Sequence, residues 1–541
     1  MTRTDAVVMR PAAGDAASPG DAAPPLDAAD GHKPDADRAV AARAVSTTAS
    51  GGAVLFAGKL FSYGSRLIIT VMLARVLGSA QYGAYNLALT LTELAVGVAV
   101  LGLDTGILRY VAIFRHRGEP AHIWSILQVG IGVPTVLGLV LAAGTFVLAE
   151  PISILVFSDP TLAPPLRVAS LLIPVLVLLD QLDVANRGLD HMGNSVLAQQ
   201  FVAPVVRFVL LVGLFAVGMT ATLAIGAYFF ASVVAAILLL VLLNRAFRLR
   251  RPLGTMPGDT GQLVRFSLPV YLSNLVQIFG SSIQKIVLGV TGAIASVGIF
   301  GIASQLVLVG TVFHGSVTMA SMPVIAALND GGHVAALGRL YRTTTKWAVT
   351  VNLPIFLTLV LLAEPIMSIF GEDFEVGAPA LVILACANLV NVGTGPCGAM
   401  LDMTGNSMAK LVNSIIVVEV SLLASLLLVP TFGLIGAATA ALVVSITLNA
   451  LRVVEVYAFN GLLPYDRTIL KPIAAAVAAS AAALALRSAP LAWGPVVQTV
   501  VTALVIGVVF IGIVLALGLS EEDRELLARV RGKVRRKMGR R

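Results

Sequence analysis

From residue 53 to residue 518 the chain returns again and again to apolar runs of about twenty residues or more, parted by short polar breaks. A run of that length spans the ~30 Å hydrocarbon core of a bilayer as an α-helix. The expected spans are 53–76, 84–112, 122–148, 166–186, 197–217, 222–243, 262–290, 294–327, 340–362, 378–402, 409–429, 434–457, 469–487 and 495–518. That makes about fourteen transmembrane helices in an all-α polytopic membrane protein. Charged residues are only 12% of the chain and hydrophobic ones 57%, against ~25% and ~45–50% in soluble domains. No long polar segment interrupts the spans, which leaves no room for a soluble catalytic domain.

Loop charges give the expected orientation. With the N-terminus inside, the inner loops hold Arg115 and Arg117, Arg187, then Arg245, Arg248, Arg250 and Arg251, then Arg339, Arg342 and Lys346, Lys410, and finally Arg467 and Lys471. The outer loops hold Glu150, Asp159, Glu364, Glu372, Asp373 and Glu375. Cations on the cytoplasmic side are the positive-inside pattern, so both termini are expected in the cytoplasm. The formal charge of +8 reads as topology rather than as nucleic-acid binding.

The chain repeats itself. LAEPI stands at 148–152 and again at 362–366, and LDHMGNS at 189–195 matches LDMTGNS at 401–407. YGAYNLALTL at 82–91 is echoed by VGIFGIASQL at 297–306. The near-constant offset indicates a duplicated six-helix unit. Six is even, so the two copies are parallel. The expected organisation is a disordered cytoplasmic tail over 1–50, an N-lobe over 51–250, a C-lobe over 251–465, two further helices over 466–519 and a basic amphipathic tail over 520–541. That last tail, with Leu526, Leu527, Val530 and Val534 on one stripe, is expected to lie on anionic inner-leaflet lipid. Two turn-forming LDxxGNS segments fall in inner loops, where Ser195 or Ser407 caps the next helix or the segment gates the lobe.

The charges inside the spans carry the functional reading. Lys59 and Arg66 are seven residues apart in the first span, hence on one helical face. A cation at the bilayer centre costs roughly 2.5–3.5 kcal/mol on insertion scales. Two on one face imply a face turned away from lipid, toward a wet cavity. Arg207 lies near the middle of the fifth span and Lys285 in the seventh. Together Lys59, Arg66, Arg207 and Lys285 make a cationic interior suited to phosphate oxygens. Glu93 is expected to pair with Arg66 across the first hairpin, whose turn centres near Ser79 and Ala80. Glu93, Asp180 and Glu419 are candidates for H+ or Na+ coupling, or static partners of arginines. No GxxxxGK[ST] motif is present, so transport would run on an ion gradient or the membrane potential. Cys386 and Cys397, about 16 Å apart along one helix, are expected as packing residues. No metal-ligand spacing appears, and no cofactor is expected.

LARVLGSAQYGAYNLALTL at 73–91 and LGLDTGILRYVA at 101–112 resemble the opening of bacterial polysaccharide-biosynthesis proteins. These are the Wzx-type lipid-linked oligosaccharide flippases of the multidrug/oligosaccharidyl-lipid/polysaccharide (MOP) superfamily. FSLPVYLSNL at 266–275 and IVLGVTGAIASVGIFGIASQL at 286–306 continue the likeness. The resemblance implies a two-lobed, MATE-like, alternating-access fold in the bacterial inner membrane. It implies passage of an undecaprenyl-pyrophosphate-linked glycan from inner to outer leaflet, with other polysaccharide-assembly membrane proteins as further partners. Many relatives carry an acid in the seventh helix where this chain has Gln284 beside Lys285. An ion-coupled drug or metabolite antiporter and a peptidoglycan-precursor flippase are the alternatives on the same architecture. A membrane glycan polymerase or ligase would show a large basic outer loop, and the outer loops here are short and acidic.

Overall fold

A computed structural model describes residues 34–247, 260–292, 294–488 and 494–518, with the backbone alone over 34–60. The chain divides into two units, 1–53 and 54–541. In the first unit the described residues, from Pro34, are helical, where a disordered tail was expected; the Ala-rich stretch ADRAVAARAV suits a helix. The second unit holds everything below. The tail over 520–541, Arg248, Arg250 and Arg251 lie outside the described residues.

The described residues are almost wholly α-helical. The helices are α1 (Pro34–Val100), α2 (Leu103–Arg117), α3 (Pro120–Pro151), α4 (Ala163–Gly188), α5 (Met192–Ser195), α6 (Ala203–Phe215), α7 (Ala221–Ala246) and α8 (Thr260–Thr291). They continue with α9 (Ile294–Asp330), α10 (Val334–Leu361), α11 (Ala363–Ser368), α12 (Ala378–Gly393), α13 (Cys397–Met403), α14 (Ser407–Asn460), α15 (Leu470–Ser488) and α16 (Pro495–Ala516). Eleven helical segments among the described residues are long and apolar enough to cross a membrane, against the fourteen expected. Part of the difference lies in α1 and α14, each of which holds two expected spans joined at one glycine. Gly78 sits at φ 68° and Gly433 at φ 53°, backbone that a residue with a Cβ adopts only at a cost. Arg339, Arg342 and Lys346, expected in a loop, fall within α10, which starts six residues before the apolar run does.

Helices α1–α7 and α8–α14 form the two lobes, with α15 and α16 packed on α10. The apolar core is distributed unevenly between their ends. Around Gly78 one large cluster joins both lobes: Leu73, Leu77 and Tyr82 pack with Ile294, Val297, Phe300 and Phe374. At the other end the clusters are separate. Leu103, Ile107, Phe114 and Leu239 belong to one, and Ile325, Tyr341, Met400 and Val456 to another. Hydrophobic burial thus holds the halves together at the Gly78 end and leaves them parted opposite it, except where α8 leans on α2.

The seam at the Gly78 end follows the internal repeat. Tyr82-Gly83 and Val297-Gly298 are equivalent positions of the two copies, and they meet. A Cβ on Gly298 would stand 2.7 Å from the Gly83 nitrogen and 2.8 Å from the Ser79 carbonyl oxygen, and one on Gly83 would collide with the Ile294 carbonyl. The two backbones therefore touch across a pseudo-twofold axis, which only the absence of both side chains allows. Arg75 Nε donates to the Ile369 carbonyl at 2.6 Å, Ser79 Oγ to Asp373 Oδ2 at 3.4 Å, and Tyr82 meets Phe374 edge-on.

Candidate functional site

Behind that seam lies a cavity of two parts, one walled by the first lobe alone and the other shared between the lobes. Two adjoining chambers, of about 320 and 310 Å³, share Arg66, Ile69, Arg207 and Tyr228 in their walls. The first reaches along α1 and the segment before α6, past Ser62, Tyr63, Gln199 and Gln200. The second reaches to α8 and α9, past Glu93, Lys285, Ser304 and Gln305. Four residues singled out from the sequence are therefore together: Arg66, Arg207, Lys285 and Glu93.

Arg207 is the most firmly held of the four. It donates from Nη2 to the Tyr85 hydroxyl, and its guanidinium lies 4.3 Å from the Tyr228 ring centroid and 5.9 Å from that of Tyr85. A guanidinium over an aromatic face gains about 0.5–2 kcal/mol, more as water is excluded. Its Nε is buried and has no hydrogen-bond partner, and among the described residues it makes no ion pair. Arg207 is thus clamped in position while its charge remains uncompensated. Local backbone sets this up. Residues 196–202 form a π-helix between α5 and α6, just ahead of Pro204. Proline has no N–H to give the turn before it, and a wide turn relieves its ring clash. The extra residue in that turn changes the register of the helix ahead of Arg207, and Gln199 and Gln200 line the same chamber.

Arg66 does not pair with Glu93. Among the described residues neither makes an ion pair, although both line the second chamber. The turn of the hairpin is the reason. It falls at Gly78 itself, so Arg66 stands twelve residues before it and Glu93 fifteen after. Three residues of helix are a ~4.5 Å offset in depth. Lys285 and Glu93 also share the chamber without an ion pair. Thr70 and Gln305 close the space between α1 and α9 by hydrogen bonds of 3.0 and 3.3 Å.

The remaining expected residues fall elsewhere. The Lys59 side chain lies outside the described residues. Asp180 is absent from the chamber walls and sits among Asp104, Asp183 and Arg187, with Arg187 paired to Asp183 at 3.2 Å. Glu419 is exposed on α14, away from both chambers. Gln284 is buried and donates to Ser421 Oγ at 3.0 Å, so the polar group facing the cavity from that part of α8 is Lys285. Sequence reasoning missed Tyr85, Tyr228, Gln199 and Gln200. Their one signal was a pair of tyrosines and a glutamine pair inside otherwise apolar spans. The motif aspartates are tied down: Asp190 to Arg115 at 3.5 Å and Asp402 to Lys410 at 3.0 Å, which favours a turn-stabilising role for LDxxGNS. Neither Ser195 nor Ser407 is the capping residue, however, since α5 and α14 start from His191 and Asn406 without a side-chain cap. Cys386 and Cys397 are free thiols. Among the described residues no group of three His, Cys, Asp or Glu could hold a metal ion.

The described residues thus form two lobes around a polar cavity. The structure is similar to that of the lipid II flippase MurJ in an inward closed conformation, with a TM-score of 0.67 at 14% identity over 84% of this chain and 98% of that one. It is also similar to an inward-facing multidrug resistance MATE family transporter, with a TM-score of 0.63 at 16% identity over 73% and 94% of the two chains. At these identities the likeness speaks for the fold. The family profile described as Polysaccharide biosynthesis protein matches residues 48–329, more than half of the chain, and the chain belongs to that family. The MatE profile matches 269–428. The teichuronic acid biosynthesis protein TuaB of Bacillus subtilis (strain 168) is 28% identical over 137 residues. That match spans 25% of this chain and only 28% of the relative.

Proposed function

We propose that the chain is an alternating-access flippase that carries a polyprenyl-pyrophosphate-linked oligosaccharide from the inner to the outer leaflet of a bacterial inner membrane. The observation that carries this is the pair Arg66 and Arg207 in one void without a carboxylate partner. Arg66 is exposed to the void and Arg207 half-buried. A guanidinium inside a membrane span is costly without a partner, and a phosphate-bearing guest offsets that cost by charge-assisted hydrogen bonds. The pyrophosphate docks on Arg66 and Arg207, with Lys285 across the chamber and Lys59 further along α1. The prenyl tail stays in lipid. An apolar groove of about 300 Å³ beside α16, walled by Leu306, Val309, Pro354, Thr358 and Ala503, suits such a tail. Undecaprenyl pyrophosphate is the carrier we assign, and Glu93, the acid of the chamber wall, is the H+ or Na+ coupling residue we carry forward.

With both termini in the cytoplasm, the Gly78 end faces outward and the parted end faces the cytoplasm. The state described is then the loading state. The names of two relatives agree with the direction of this reading: one is a lipid II flippase and the other acts in teichuronic acid biosynthesis. A drug antiporter of the same fold is the weaker reading, because cationic guests would meet Arg66, Arg207 and Lys285. Depleting the protein tests the class: lipid-linked glycan should accumulate on the inner leaflet and surface polysaccharide should fall. Unchanged surface polysaccharide with no accumulated precursor overturns it.

A further inference from the structure

A second cavity, mostly apolar but with several polar side chains in its walls, lies in the second lobe. Its volume is about 210 Å³, and its walls include Gln277 of α8, Thr318 of α9, Gly398 of α13, and Lys410, Asn413 and Arg452 of α14. Comparison of the two repeat copies shows that it is an addition rather than a shared feature. LDxxGNS aligns Asn186 with Gly398, and the IGA triplets at 225–227 and 435–437 align Leu242 with Arg452. In the first lobe Asn186 is fully buried and fully used. It donates to the Leu182 and Leu239 carbonyls at 2.8 and 3.4 Å and accepts from Asn194 at 3.0 Å. In the second lobe a glycine stands there. A Cβ on it would be 3.5 Å from Arg452 Cζ, so the guanidinium lies against the space the asparagine fills in the other copy.

The polar groups of this cavity are left with valences open. Asn413, 2% exposed, donates to Glu455 Oε2 at 2.6 Å, while its Oδ1 accepts nothing. Thr318 Oγ1 is buried and unpartnered. Arg452 makes no hydrogen bond or ion pair among the described residues. The nearby acids are already engaged, Asp402 with Lys410 and Glu455 with Asn413. A guest must therefore accept from Arg452 and donate to Asn413 Oδ1. A metal or sodium ion satisfies the asparagine oxygen and is repelled by the guanidinium. A phosphodiester or carboxylate satisfies the guanidinium and offers the asparagine nothing. A hydroxyl group does both.

We infer that this pocket is a sugar subsite, taking one hydroxyl-rich ring of the transported glycan. The inference rests on the proposed function for the source of that sugar, but not for the chemistry of the pocket. Gln277 and Lys285 are eight residues apart on α8, ~12 Å along the helix. That spacing fits a pyrophosphate held at the first-lobe cations with a sugar ring near the second-lobe pocket. Leaving the pocket's polar groups unmatched penalises a guest that lacks the right hydroxyls, so the site sets which glycan is accepted.

The test uses the full chain in nanodiscs and a glycan freed by mild acid from the lipid-linked pool of the cells that make it. The glycan is separated from lipid and phosphate, and its contact with the protein is read by saturation-transfer NMR. Ring-proton signals are expected, at least fivefold weaker in Arg452→Met and in the near-isosteric Thr318→Val, and unchanged in Arg167→Gln of the first lobe, where Arg167 pairs with Glu150. Excess inorganic phosphate should not displace the sugar. No transfer in the native protein, undiminished transfer in both pocket variants, or displacement by phosphate overturns the subsite. Because the probe has neither lipid nor phosphate, this result is independent of whether Arg66 and Arg207 carry a pyrophosphate.

Discussion

Arg207 combines a fixed position with a free charge, and the two properties separate by mutation. Arg207→Lys keeps the cation but loses the planar stack on Tyr228 and the bond to Tyr85. Lysine is a point charge on a flexible stem. With a stacking term of about 1.4 kcal/mol, glycan export should fall about tenfold in Arg207→Lys and further in Arg207→Ala, at equal protein level in the membrane. The Arg66–Glu93 pair gives a second residue-scale expectation. Since the two do not touch, the double charge swap Arg66→Glu with Glu93→Arg should leave export as low as the single changes. Full rescue, read by surface-glycan staining, would mean an ion pair that the present geometry lacks. The cations themselves were legible from sequence, because a charge inside an apolar span needs a reason. Their partners were not. Pairing depends on depth, and moving a turn from residue 79–80 to residue 78 is enough to separate two side chains that equal spacing would bring together.

Among the elements, the glycine seam and the π-helix shape the site most. Gly83 and Gly298 let α1 and α9 touch at the end that closes the cavity. Gly298→Val should push the Gly78 end open. With Cys386 and Cys397 replaced, a cysteine at Ser79 should react several-fold faster with a membrane-impermeant thiol reagent in the valine variant than in its glycine parent. Pro204→Ala should let the 196–202 segment regain a regular α-helical register and carry Gln199 and Gln200 off the chamber wall. Loss of one such hydrogen-bonding group, worth ~1 kcal/mol, lowers export several-fold. Helix existence and approximate limits were readable from apolar run length. The glycine-joined α1 and α14 were not, because Gly78 and Gly433 look in sequence like any other loop glycines. The offset of the repeat was readable, yet it gave no hint that equivalent glycines meet; that follows from the twofold relation of two parallel lobes.

For the whole molecule, the distribution of apolar contact is the central physical fact. One core joins the lobes near Gly78, and separate cores hold them at the opposite end. Closing the parted end requires breaking the joint cluster or hinging about α8, which leans on α2 through Gly102 and Gly106 against Tyr271 and Ser267. On the proposed function, a pyrophosphate bound at Arg66 and Arg207 would remove the electrostatic cost of bringing the lobes together around them. The most direct measurement is lipid transfer between leaflets of proteoliposomes holding the purified protein and a fluorescent polyprenyl-pyrophosphate-linked glycan, with surface label removed by an added glycosidase. The native protein should make the inner-leaflet pool accessible, and the double variant Arg66→Ala, Arg207→Ala should slow this at least a hundredfold. Equal rates in the two would contradict the assignment of those arginines and, with it, the anionic cargo.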